Sequence, residues 1–95
     1  MENMRKFEET DEPREFITFM GDGTAVVYKR SLFTNKMHKI RLPLTKEQFM
    51  DWYSRRVLIQ HAMPDLSKDE REFFLTGSTP EEWENAFGKE EDQDQ

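Results

Sequence analysis

At 95 residues without a cysteine, the chain has the length of one small domain and lacks disulfides, thiolate nucleophiles and cysteine-bound zinc. Charged residues (36%) match apolar ones (35%), no apolar run approaches a membrane span, and the core depends on aromatic residues that lie almost entirely between positions 16 and 87. The net charge of −6 is sorted: residues 1–15 carry −3, residues 16–62 carry +5 and residues 63–95 carry −8.

A basic middle between acidic ends has three readings. It grips a polyanion, it grips an acidic partner, or it is covered by the chain's own carboxylates. Residues 1–14 and 89–95 hold little that offsets ordering entropy, so they are expected as acidic flexible tails around a single α+β domain over residues 15–88. The opening residues contain no apolar stretch able to act as a signal-peptide core, and a cytoplasmic location is expected.

The first half reads as strands. Phe16-Ile17-Thr18-Phe19-Met20 and Ala25-Val26-Val27-Tyr28 flank Gly21-Asp22-Gly23-Thr24, where Asp-Gly suits a tight hairpin turn. A two-residue turn sets Phe19 opposite Val26 and Ile17 opposite Tyr28. After a second turn near Phe33, residues 37–42 alternate, with His38, Ile40 and Leu42 on one side and Met37, Lys39 and Arg41 on the other; Pro43 ends the strand. The expected sheet is a three-stranded antiparallel meander.

The second half reads as helices, because Thr45 with Gln48, Ser67 with Glu70 and Thr79 with Glu82 each have capping-box spacing. One long helix is expected over 46–62, ending before Pro64. A short one follows over 68–76, stopped by Gly77, and another begins at Pro80 and stops at Gly88. The expected architecture packs one face of the meander on the long helix, with the two short capped helices closing the core. That core would hold Ile17, Phe19, Val26, Tyr28, Ile40, Leu42, Phe49, Tyr53, Val57, Phe73, Trp83 and Phe87.

Within the last third, the words Asp69-Glu-Arg-Glu-Phe73 and Thr76-Gly-Ser-Thr-Pro-Glu-Glu-Trp83 stand in a stretch from Met63 to Gly88. This stretch resembles a segment of small bacteriophage open reading frames. The resemblance implies a phage or mobile-element origin, hence a host-cell cytoplasm, and carries no activity or functional residues to transfer.

No catalytic, cofactor or metal site assembles from the motifs. His38 and His61 lack metalloprotease spacing, and the reading of His38 as a core-edge strand residue and His61 as a solvated helix residue accounts for both. Gly21-Asp22-Gly23 lacks the Lys-Ser/Thr of a nucleotide loop. Glu81 and Glu82 sit where a helix first turn favours carboxylates. The expected protein is therefore not an enzyme, and its function lies in its faces.

Lys29, Arg30, Lys36, Lys39 and Arg41 form a candidate basic interaction face able to follow phosphates, with Phe33 and Met37 placed to add contacts; the plainer reading is edge protection of a sheet. On the long helix, Arg56 falls on the apolar arc, where it reads as a structural pin to an acidic partner residue, while Leu58 lies opposite as a candidate partner contact. The acids of the last third offer a phosphate-like row. The leading expectation is a non-enzymatic phage accessory protein that binds a protein partner through charge-complementary faces. A nucleic-acid-binding module using the basic strands, an acidic DNA mimic, and head-to-tail self-association stand as alternatives.

Overall fold

The computed structural model describes residues 5–87. The chain is α+β: β1 (Glu8–Glu9), β2 (Phe16–Phe19), β3 (Ala25–Arg30), β4 (Met37–Leu42), α1 (Lys46–Tyr53), α2 (Ile59–Ala62), α3 (Lys68–Thr76) and α4 (Pro80–Phe87). The strands form one antiparallel sheet in the order β1-β4-β3-β2. No helix among the described residues is long and apolar enough to cross a membrane.

The fourth strand comes from the segment whose composition reads as a tail, and two residues hold it in place. Phe7 meets Phe73 edge to face at 5.2 Å. Arg5 lays its guanidinium across Glu70, Nε to Oε2 at 3.0 Å and Nη2 to Oε1 at 2.9 Å, and Nη2 also donates to the Asp65 carbonyl. Glu70 is buried and also closes the α3 capping box by accepting the Ser67 amide, so one carboxylate joins the segment before β1 to the start of α3. The segment expected as the second tail, residues 89–95, lies outside the described residues.

The β2–β3 register differs by one residue from the expected one. Phe19 faces Ala25 and Ile17 faces Val27, because the loop is wider than a two-residue turn: the Met20 amide donates to the Thr24 carbonyl, and Gly21 and Gly23 supply φ of 83° and 90°. A one-residue slip exchanges the faces of β3. Ala25 and Val27 are therefore the buried pair, and Val26 and Tyr28 look outward. On β4 the expected alternation holds, with His38, Ile40 and Leu42 buried and Lys39 and Arg41 turned away.

The expected long helix is two helices. α1 stops at Tyr53, Arg56 takes φ of 63°, and α2 restarts at Ile59 with Leu58 as its N-cap. A continuous helix would have carried Arg56 onto the core face, where an unpaired guanidinium is costly to bury. Breaking the chain there leaves Arg56 and Leu58 exposed while Val57 and Ile59 still pack on the core. The reading of Arg56 as a structural pin is thereby corrected; Arg5 on Glu70 does that work.

The core is Ala25, Val27, Ile40 and Leu42 from the sheet against Leu44, Ala62, Met63, Leu66, Phe73 and Phe74, with Ile17, Phe19, Phe49 and Val57 packed around it. Tyr53 and Phe87, expected inside, are exposed. All three capping boxes form, and Gly77 ends α3 in the left-handed region at φ 76°.

Candidate interaction surface

The five candidate basic residues do not form one open stripe. Strand register puts Lys39 beside Tyr28 and Arg41 beside Val26 on the outer face, whereas Lys29 stands beside His38 on the inner side. The chain's own acids reach most of them. Glu15 lies 3.7 Å from Lys29 and accepts the Arg30 amide at 2.9 Å, Glu9 lies 3.3 Å from Lys36, and Asp22 lies 2.8 Å from Arg41. The Arg30 guanidinium donates to the carbonyls of Asn35 and Pro13. Exposed pairs of this kind add little stability, but they cancel the local positive potential that phosphate would follow. Of the three readings of the basic middle, the geometry matches internal cover.

Asp22 belongs to this cover. The Thr24 hydroxyl holds its carboxyl below the usual carboxylate range; desolvation opposes this, and the Thr24 amide and Arg41 add to the lowering. Met37, a candidate contact, is buried: the segment after β1 crosses it, and the Thr10 amide donates to the Met37 carbonyl. It is withdrawn as a surface residue. Leu58 is exposed as expected, and Phe33 is partly so.

Phe33 leads to a feature that residue spacing did not show. Its ring meets Trp83 at 5.0 Å and Phe87 at 5.5 Å, both edge to face, and Trp83 stacks on Phe87 at 5.2 Å. These rings form a closed triangle. Leu32 stands next to it at 75% exposure, with Phe87 at 59% and Phe33 at 40%. Trp83 and Phe87 are one turn apart on α4 and so form a ridge on that helix.

The platform is assembled from two distant pieces of chain. The turn carrying Leu32 and Phe33 is shaped by the Ser31 hydroxyl, which accepts the amides of Phe33 and Thr34, and by Asn35 at φ 64°. The Leu32 amide donates to the Thr76 carbonyl, tying the turn to the end of α3. Glu82 then joins the turn to α4: one carboxylate oxygen accepts the Thr34 hydroxyl at 2.7 Å and lies 3.5 Å from His38 Nε2, while the other accepts the Thr79 amide at 3.1 Å. His38 Nδ1 and Trp83 Nε1 are buried without a hydrogen-bond partner among the described residues.

Burial raises the Glu82 pKa, but hydrogen bonds from Thr34, Ser31 and the Thr79 amide, with His38 nearby, outweigh it and leave the carboxyl below its ordinary value of 4.5. Its stabilising contribution is thus present above the unfolded value and lost as pH falls through the lower folded value. Melting temperatures taken from roughly pH 3 to 7 should decline on the acid side, and Glu82→Gln should start lower at neutral pH and decline less steeply. Parallel acid-side declines in the two proteins would show that Glu82 is not the titrating link.

The acidic row is also shortened by the fold. Glu70 and Glu82 are buried and engaged, leaving Asp69, Glu81 and Glu84 exposed on α3 and α4. Among the described residues no three His, Asp or Glu side chains converge on a metal-sized site. Comparison with protein-family models, with curated proteins and with solved structures finds no match for this chain.

Proposed function

We propose that this chain is a non-enzymatic, phage-type accessory protein that acts by binding another protein, and that the Leu32, Phe33, Trp83 and Phe87 platform makes the contact. The observation that carries the reading is an aromatic triangle that turns its Phe33 and Phe87 rings, beside Leu32, to solvent around a half-buried Trp83, in a domain whose core has few large side chains to spare. Contiguous exposed apolar surface marks interaction sites, and aromatic anchors dominate their energetics. The internal cover of the basic face moves the weight of the proposal from the cations to the rings.

A second reading rests on the outer sheet face, where Phe16 and Tyr28 stack at 4.1 Å beside Lys39, an arrangement that single-stranded nucleic acid uses. One experiment separates the two. Tagged protein is used to capture species from bacterial extract with and without nuclease, alongside a Phe33→Ala/Phe87→Ala variant. A protein that survives nuclease and is lost with the variant, which melts lower for want of its ring contacts but still cooperatively above the capture temperature, is the expected result. Equal capture by the variant would refute the platform, and loss of every species on nuclease treatment would move function to the outer face.

A further inference from the structure

We infer that the chain pairs with a second copy of itself through the free edge of β2, joining two four-stranded sheets into one across a two-fold axis at Thr18. The two edges of the sheet differ. β1 is two residues long, both Glu, and Arg5 and Lys6 precede it; brevity and charge of this kind keep another strand away. β2 has no such protection: Phe16-Ile17-Thr18-Phe19 runs on into Met20 without a charge, a Pro or a bulge. The lysines that could guard an edge stand on the interior strands, Lys29 on β3 and Lys39 on β4.

The backbone at that edge is open. The Met20 amide donates to the Thr24 carbonyl, and the antiparallel ladder alternates from there, so Thr18 and Phe16 turn their amides and carbonyls toward β3 while Ile17 and Phe19 turn theirs away. Among the described residues nothing bonds those outward groups. An extended strand satisfies them, and the side chains select this chain's own. Antiparallel pairing about Thr18 sets Ile17 against Phe19 of the second copy on the inner face, where both pack on the core, and sets Phe16 against Met20 on the outer face, where both are exposed. A register shifted one way opposes Phe19 with Glu15, and one shifted the other way opposes Ile17 with Gly21 and Phe16 with Asp22. Only the pairing centred on Thr18 matches apolar groups on both faces.

Charge agrees with that register. In an antiparallel pair the residues before one strand lie beside those after the other, so Arg14 comes to the end where Asp22 of the second copy stands. Arg14 is exposed and has no partner among the described residues, and the Asp22 carboxylate keeps an exposed side beyond Arg41. Symmetry makes the same contact at both ends. Because β1 is blunted, the pairing closes at two copies instead of propagating.

The test runs the full-length protein by sedimentation velocity over a concentration series, with amide hydrogen exchange on the same samples. A reversible dimer is expected, and the Ile17 and Phe19 amides should exchange more slowly as it fills. Thr18 is exposed on the outer face, so Thr18→Lys should leave the chain folded yet weaken the dimer at least tenfold, by setting like charges opposite each other on the axis. Thr18→Cys puts the chain's only thiol in a non-hydrogen-bonded pair, with Cα atoms about 4.5 Å apart, and should cross-link on mild oxidation. Lys39→Cys, on the same face of an interior strand, should not. Phe33→Ala/Phe87→Ala should dimerise like the parent, which separates this inference from the ring platform.

A protein that stays monomeric up to about 500 µM would overturn the inference. So would a dimer that Thr18→Lys leaves intact, a dimer that vanishes with the ring variant, or cross-linking of Thr18→Cys no faster than that of Lys39→Cys. Protection of the Ile17 and Phe19 amides only on addition of a captured partner protein would assign the edge to a foreign strand and overturn the second copy.

Discussion

Phe73→Ala should cost about 3–5 kcal/mol, most of what separates a small domain from its unfolded state. Phe73 is fully buried at the centre of the cluster, and its ring is what Phe7 packs against. Removing it leaves a cavity under the sheet and also takes away the apolar anchor of β1, so the loss is felt at two places in the chain. A domain of this size shifts its melting temperature by about 4–8 °C per kcal/mol, which places the expected drop in the tens of degrees. Denaturant unfolding gives the free energy directly. A variant that melted near the parent would mean that Phe73 is replaceable by its neighbours and that the β1 anchor lies in Arg5 alone. Phe87, equally aromatic but exposed, is the contrast: its loss removes ring contacts of about 0.5–1.5 kcal/mol each and no core volume.

Gly77→Ala should destabilise the protein beyond the ~1–2 kcal/mol that a left-handed backbone ordinarily imposes on a residue with a Cβ. Gly77 holds φ of 76° at the C-cap of α3, and a methyl group there would overlap the carbonyl oxygen of Arg30 and crowd the Ser31 amide. Those are backbone atoms at the end of β3, so no side-chain rotation relieves the overlap. Either the strand end or the α3–α4 junction must move, and both bear on the platform, since Ser31 opens the turn of Phe33 and Ser78 leads into α4. Gly23→Ala is the control, with φ of 90° but open space around the added methyl, and it should show the backbone penalty alone. Denaturant curves of the two variants provide the comparison, and equal losses would show that the approach of Gly77 to Arg30 carries no energy.

The features legible in the residues are those whose causes lie within a few positions. Each capping box joins residues three apart, Gly77 follows directly on the helix it stops, and the β4 alternation repeats every second residue; all of these formed. The burial of His38 followed from the same alternation. The register of β2 on β3 was lost to a loop choice between a two-residue turn and a wider one, which local composition does not decide and which reverses the buried face. The break at Arg56 was visible as a conflict, a cation on an apolar arc, but not as a resolution, because pairing the cation and ending the helix both answer it.

Sequence alone established an α+β chain with capped helices, a hairpin-rich first half and charge sorted into three sectors, because short-range stereochemistry and composition govern those properties. Tertiary structure decided which carboxylates meet which cations, that Glu8 and Glu9 join the sheet, and that Phe33 meets Trp83 and Phe87. Those outcomes rest on contacts such as Arg5 with Glu70, 65 positions apart, and Thr34 with Glu82, 48 apart. Pairings at such separations form only after the chain has folded around them, and no local pattern specifies which of several equally charged or aromatic residues will be the neighbour.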